Sequence, residues 1–495
     1  MPDLRLLPSI FGWSFDLSRS QSGHFWGLRE ARVQLRIVRR LPGSAGRKMA
    51  VARRPSNRSS LYLSVFPGET NSMNALCLKS LLGAGCATLA LATTMTSLAN
   101  AGGFDRGGVN IDLLFDESRF ATEAGVTHVA PHRELENVRR LDGSGAATAR
   151  VKVDDSYTVP RFGIKANVFE PVDCLATYTE PYGADADYGR GKAYSPTSVE
   201  FKVDTRDLGL TCSYKIPLEK GSFRLIGGVS YQEVEAFQSR ETLQTFALPR
   251  PGGLPPLVLH NPGLGVFALS DEAVSWRAGV AYEIPEIAFR ASLVYSSRYK
   301  YDNLSGTVNT TGFAVGPTGP SNGAFLGVFP VSASTEVPQA LELKVQSGIA
   351  PGWLAFGSVK WQEWSKLGII PINGVINPVT GAVSRTTSFD PLYRDGWTVT
   401  GGIGHSFTDT LSGAVSVTWD RGTSTSSGYQ TDLWNFAVGG SYKPNEHVEV
   451  RLGGSLGLWT SGESSFTGGD PANAVSYSFG NDLVTAVSGA IKVRF

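Results

Sequence analysis

The sequence predicts an all-β protein: a 14-stranded antiparallel transmembrane β-barrel with an N-terminal hatch or plug. Three observations carry this expectation, namely recurrent segments that alternate apolar with small or charged residues, connections that sort into short and long, and an export signal. The composition agrees, since 57 Gly, 10% aromatic and only 18% charged residues in a chain of 495 suit short strands and turns better than long helices. Only one apolar stretch, Leu81 to Leu98, approaches membrane-helix length.

That stretch follows Met73-Asn74-Ala75-Leu76-Cys77-Leu78-Lys79-Ser80 and ends in Ala99-Asn100-Ala101. A basic start, an apolar middle and a small-x-small exit predict a signal peptide over 73-101, cleaved after Ala101. Two other readings stand beside it. A lipoprotein signal through Cys86 has Gly83 where a bulky aliphatic is usual, and an uncleaved membrane helix would be unusually rich in Ala, Thr and Gly, without a basic flank. Residues 1–72 carry 12 Lys and Arg against 4 Asp and Glu, a net of +8 in a chain whose formal charge is +1. A basic arm ahead of an export signal has no use as a nucleic-acid contact. Translation is therefore expected to start at Met73, with 1-72 a spurious or disordered basic leader. The mature chain is expected to hold a hatch or plug segment over 102-134 and the barrel over 135-495.

The period-two segments fall at 135-141, 151-168, 172-181, 199-216, 222-236, 273-284, 287-301, 337-349, 353-366, 396-407, 411-420, 431-443, 447-459 and 482-495. Each of the fourteen is read as long enough to cross a bilayer at a barrel tilt. In the thirteenth, Val448, Val450, Leu452, Leu456 and Leu458 share one face while Glu449, Arg451 and Ser455 share the other. Lipid outside and a polar lumen inside require that division. The last strand repeats it, with Val487, Ile491, Val493 and Phe495 on the lipid side. Phe495 is expected to be part of the signal that outer-membrane assembly machinery reads.

Short turns such as Glu170-Pro171, Pro285-Glu286 and Pro351-Gly352 follow the even strands, whereas long Gly/Pro/Ser-rich connections (182-198, 237-272, 302-336, 367-395, 460-481) follow most odd ones. Short periplasmic turns and long outer loops produce this asymmetry. Trp353, Trp397, Trp419 and Trp459 near strand ends fit interfacial girdles in contact with outer-membrane lipids. Cys174 and Cys212 remain in an oxidising compartment, near one rim of one hairpin; a disulfide or two unpaired thiols both fit.

Fourteen strands enclose more space than a side-chain-filled eight-stranded barrel and less than an aqueous porin. The irregular segment from Gly102 to about Glu134 is expected to fold inward as the plug. The outer connections are oddly apolar: Leu257, Leu259 and Phe267 between strands five and six, and Phe325 and Phe329 between seven and eight. Such patches mark a binding surface for a hydrophobic solute, or pack on each other as a lid. Arg161, Lys165, Arg277 and Arg290 have lumen-facing parity. Each is read either as a partner for a solute carboxylate or as a partner of lumenal acids that braces the wall.

The junction Ala101-Gly102-Gly103-Phe104, the stretch Val359-Lys360-Trp361-Gln362-Glu363-Trp364-Ser365-Lys366 after a Pro-containing strand (Val337-Pro338-Gln339), and the terminal aromatic together resemble the long-chain fatty-acid transporters of Gram-negative outer membranes. The resemblance covers about 102–495. It implies passive uptake of long-chain fatty acids or similar lipophilic molecules, aromatic hydrocarbons included: capture at the outer loops, transfer to a pocket in the barrel, and release by hatch movement. Phe104 matches the aromatic near the inner pocket. The chain departs from the family in lacking an Asn-Pro-Ala hatch element, carrying Val129-Ala130-Pro131-His132 instead. On this reading, Arg290→Ala weakens fatty-acid binding.

Two other classes compete with this reading. A general diffusion porin needs a polar constriction loop. An outer-membrane lipase could use Gly453-Gly454-Ser455-Leu456-Gly457, but a nucleophile elbow needs a strand-to-helix turn, and this segment alternates as a continuous strand. The six His show no metal-ligand spacing and no phosphate loop occurs, so neither enzymatic activity nor a cofactor is expected.

Overall fold

The computed structural model describes residues 102–495 apart from 144, 249–256, 313–314, 317–318, 321–326, 378–381, 426–427 and 467–473. The leader, the signal peptide and Phe325 lie outside the described residues. Fourteen strands form the wall: β1 (Phe120–His132), β2 (Tyr157–Phe169), β3 (Val172–Thr179), β4 (Glu200–Pro217), β5 (Ser222–Leu248), β6 (Leu257–Ile284), β7 (Phe289–Ser296), β8 (Ala340–Ala350), β9 (Trp353–Gln362), β10 (Gly396–Ser406), β11 (Leu411–Arg421), β12 (Leu433–Tyr442), β13 (Val448–Trp459) and β14 (Asp482–Arg494). Each pairs antiparallel with the next, and β14 returns to β1, Arg494 opposite Ala121 and Leu483 opposite His132. Closure leaves the sheet without a free first or last strand, which is what a membrane demands of a sheet. No described helix is long and apolar enough to cross a membrane.

The two faces are inverted relative to a soluble protein. Leu452 is 68% exposed and Val487 61%, while the neighbouring Glu449 is fully buried. Trp353 and Trp397 also face outward, and Trp419 and Trp434 lie side by side with ring centroids 6.5 Å apart. Trp459 has the opposite parity and lies against the Arg133 guanidinium, 4.4 Å from its ring. It does not belong to the lipid girdle. Cys174 and Cys212 are opposite residues of β3 and β4, joined by a disulfide with Cα atoms 4.0 Å apart. Alkylation without reductant should leave both unlabelled; labelling of the pair would contradict this.

The structure differs from the sequence pattern in several places. The wall begins at Phe120, not at 135, so among the described residues 102–119 precede it, and Val129–His132 is wall strand. The segment 135–141, read as the first wall strand, instead lies in a separate four-stranded sheet of Glu134–Arg140, Thr148–Lys152, Gly462–Phe466 and Val475–Phe479 at the long-loop end. Its alternation is real, but Leu135, Val138 and Val151 bury themselves against Tyr188, Tyr194 and Phe479 rather than facing lipid. Thirdly, β5 and β6 continue far past the wall, so most of the expected 237-272 loop is strand. Much of 302–336 is also strand: Tyr299–Gly312 pairs with the outer half of β6 and with Val328–Val337. The two apolar connections thus join in one sheet, with Phe267 opposite Val308.

Candidate functional site

The chain ahead of β1 lies against lumen-facing side chains, held mainly by charge. Asp112, in a short 3-10 turn over Asp112–Phe115, takes Lys344 of β8 at 3.1 Å and Arg290 of β7 at 3.7 Å. Asp116 takes Lys492 at 3.2 Å and Arg494 at 2.9 Å, and Asp105 takes Lys360 of β9. Burial alone would raise the Asp112 carboxyl; the Lys344 ammonium and the Arg290 guanidinium outweigh it and hold the group below the ordinary carboxylate range. Leu114 is fully buried beside Leu175 and Ile226.

At its start the segment meets a break in the wall. Beyond Thr179 the third strand is interrupted at Glu180-Pro181-Tyr182 before resuming as Gly183–Asp187. There the Arg106 amide donates to the Pro181 carbonyl (2.9 Å) and the Gly183 amide to the Phe104 carbonyl (2.8 Å). Gly103 has φ +58°, and a Cβ there would stand 2.5 Å from the Trp364 indole. Both facts require glycine. Gly103→Ala should displace the first turn, read as faster proteolysis near residue 103 in folded protein; an unchanged digestion pattern would contradict this.

Above the polar lumen lies an apolar pocket of about 110 Å³, lined by Phe104, Phe201, Val234, Phe267, Leu269 and Trp364 among others. The strands make it by changing chemistry along one inward parity. On β5, Ser230 and Gln232 give way to Val234 and Ala236; on β4, Asp207 and Thr205 give way to Val203 and Phe201. Beneath it, Tyr299 donates to Asp207 (2.6 Å) and Tyr301 to Gln232 (2.7 Å). Glu336 is the one charged side chain among the described lining residues, and Arg298 already pairs with it at 3.3 Å.

The sequence candidates separate. Phe104 and Phe267 line the apolar pocket and Phe329 packs against its core. Leu257 and Leu259 are strand residues opposite Leu248 and Phe246. The four cations do face the lumen but none lines that pocket. Lys165 pairs with Asp173 (2.8 Å) and donates to the Ser118 carbonyl (2.6 Å). Arg290 holds Asp112 and lies 4.5 Å over the Phe115 ring. Arg277 donates to Ser230 (2.7 Å). Arg161 lines a larger cavity of about 340 Å³ towards the short-turn end, with no carboxylate at ion-pair distance among the described residues and only Thr127 at 3.4 Å. Ser455 lies mid-strand between Ala437 and Ala486, where no elbow forms.

Sequence reasoning missed Val203, Val234, Leu269, Tyr301 and Phe389 as pocket residues. Their signal was present, as apolar residues on the inward parity of strands otherwise polar on that face.

The chain shares its fold with solved structures of low identity. A Pseudomonas aeruginosa FadL homologue aligns with a TM-score of 0.65 at 15% identity, covering 83% of this chain and 98% of the other. The toluene transporter TodX of P. putida aligns at 0.54 with 13% identity (82% and 98%), and the Ralstonia pickettii toluene transporter TbuX at 0.52 with 12% (82% and 97%). No curated protein matches the sequence significantly. The profile of the outer membrane protein transport proteins (OMPP1/FadL/TodX) matches residues 113–455. With the closed barrel and its inverted faces, this makes the chain an outer-membrane protein that belongs to the OMPP1/FadL/TodX transport family.

Proposed function

We propose that this outer-membrane transporter is a passive route for compact, neutral hydrophobic solutes of roughly the size of a monoaromatic hydrocarbon. The solute is captured on the outer extension, held in the apolar pocket beneath Phe104 and released when residues 102–119 shift as a hatch. The observation that carries the reading is the pocket's lining: rings and aliphatics make up nearly all of its surface, Thr205, Gln238 and Thr335 add little to it, and the single charged side chain is an already paired carboxylate. An anionic solute would be desolvated there without a partner, a cost of several kcal/mol. The toluene transporters that share the fold support a solute of this size.

A long-chain fatty acid is the second reading, favoured by Arg161 in the larger cavity beside Leu113, Phe115 and Leu175. Equilibrium binding of toluene and of oleate to the purified protein in lipid nanodiscs separates the two. Toluene binding that is lost on filling the pocket with Ala236→Phe supports the first reading. Oleate binding that is insensitive to Ala236→Phe and lost in Arg161→Ala would replace it with the second.

A further inference from the structure

A third cavity, of about 190 Å³, lies beyond the apolar pocket towards the long-loop end. Phe104, Phe201 and Phe389 line both spaces and divide them. Their ring centroids stand 6.1 Å (Phe104 to Phe201), 6.2 Å (Phe104 to Phe389) and 4.9 Å (Phe201 to Phe389) apart. The chemistry changes across this partition. On the outer side the walls are aromatic but carry oxygen and nitrogen: Tyr188 and Tyr429 share a hydrogen bond of 2.9 Å, and Asp154 lines the same space. Arg133 is clamped over the Trp459 ring at 4.4 Å and the Tyr429 ring at 5.0 Å.

At this cavity the indole Nε1 of Trp459 and the Nε of Arg106 are buried donors with no acceptor among the described residues. The Arg106 side chain is 5% exposed, its other contacts being Asp204 at 3.4 Å and the Tyr157 ring at 4.5 Å. Buried N–H groups left unpaired cost about 1–3 kcal/mol each, so they mark a place where an acceptor belongs. Burial, reinforced by Asp155 and Asp482 and opposed by Arg133, pushes the Asp154 carboxyl up to about 6. This acid is therefore a group well suited to exchange hydrogen bonds with a neutral hydroxyl.

We propose that this antechamber is a binding site for hydroxylated aromatics, phenols, whose ring lies among the tyrosines and whose oxygen accepts the Trp459 indole N–H. The apolar pocket turns almost no polar surface towards such a hydroxyl, so the two chambers hold solutes of different polarity. The proposal builds on the inner pocket being the hydrocarbon site.

Toluene and p-cresol, which differ by one hydroxyl, are the probes, bound to the full barrel in nanodiscs. The two should not compete in the wild type. Trp459→Phe, which keeps the ring and removes the N–H, should weaken p-cresol about tenfold, the worth of one buried hydrogen bond, and leave toluene within about twofold. Competition in the wild type, or p-cresol affinity unchanged in heat-modifiable, folded Trp459→Phe, would overturn the proposal. Failure of toluene to bind, with p-cresol still dependent on Trp459, would instead remove the reading of the inner pocket and leave this site standing.

Discussion

Leu269→Glu is expected to abolish uptake of hydrophobic solutes while leaving a folded, heat-modifiable barrel. Leu269 is buried in the pocket wall on the extension of β6, beyond the part of the strand paired with β7. A carboxylate placed there has no cation among the described lining residues. Burying it against a solute costs about 2 kcal/mol or more, which is a loss of roughly 30-fold in occupancy. Leu269→Met, which conserves volume and polarity, should keep uptake within about twofold. Equal uptake by the Glu and Met variants would show that solute does not pass through this pocket.

The second large effect is expected from the lumenal segment. Asp112→Ala strips Lys344 and Arg290 of their shared carboxylate, and removing one member of a buried ion cluster costs about 3–5 kcal/mol because the remaining charges stay buried. The segment should loosen and the lumen admit small polar solutes, read as conductance in planar bilayers and as cleavage within 102–119. Closed bilayers with Asp112→Ala would mean that the hydrophobic contacts of Leu114 suffice. The pH dependence has a definite sign. Because the Asp112 carboxyl is depressed in the folded state, its anchoring is fully present above the ordinary carboxylate pKa of about 3.9 and is lost as pH falls through the lower folded value. Conductance should therefore remain low at about pH 5.

Most of the wall was legible because lipid and lumen impose opposite chemistry on alternate residues, as in Val448 to Leu458. The first wall strand was not. Ala121-Thr122-Glu123-Ala124-Gly125 alternates too weakly to be seen, and Leu135 and Val138 imitate a wall strand while covering Tyr188 and Phe479. Glycines and prolines near the hairpin tip, such as Pro262 and Gly263, disguised the extension of β6 as loop. Of the site, Phe267 could be picked out because an apolar outer connection has few other uses, and Phe104 only through the family resemblance. The parity of Lys165 and Arg290 was also legible, but their partners were not: Lys344 meets Asp112 across 232 residues of chain, a distance over which only closure of the barrel decides who meets whom.

The most direct test of a hydrophobic-solute route is uptake by cells that keep an intact outer membrane and lack their own transporter of this family. With the wild-type protein, labelled toluene should accumulate faster than in the empty strain, the gain should vanish with Leu269→Glu, and labelled small sugar should remain at background. Sugar influx with no gain in toluene would contradict the account and make the protein an open pore.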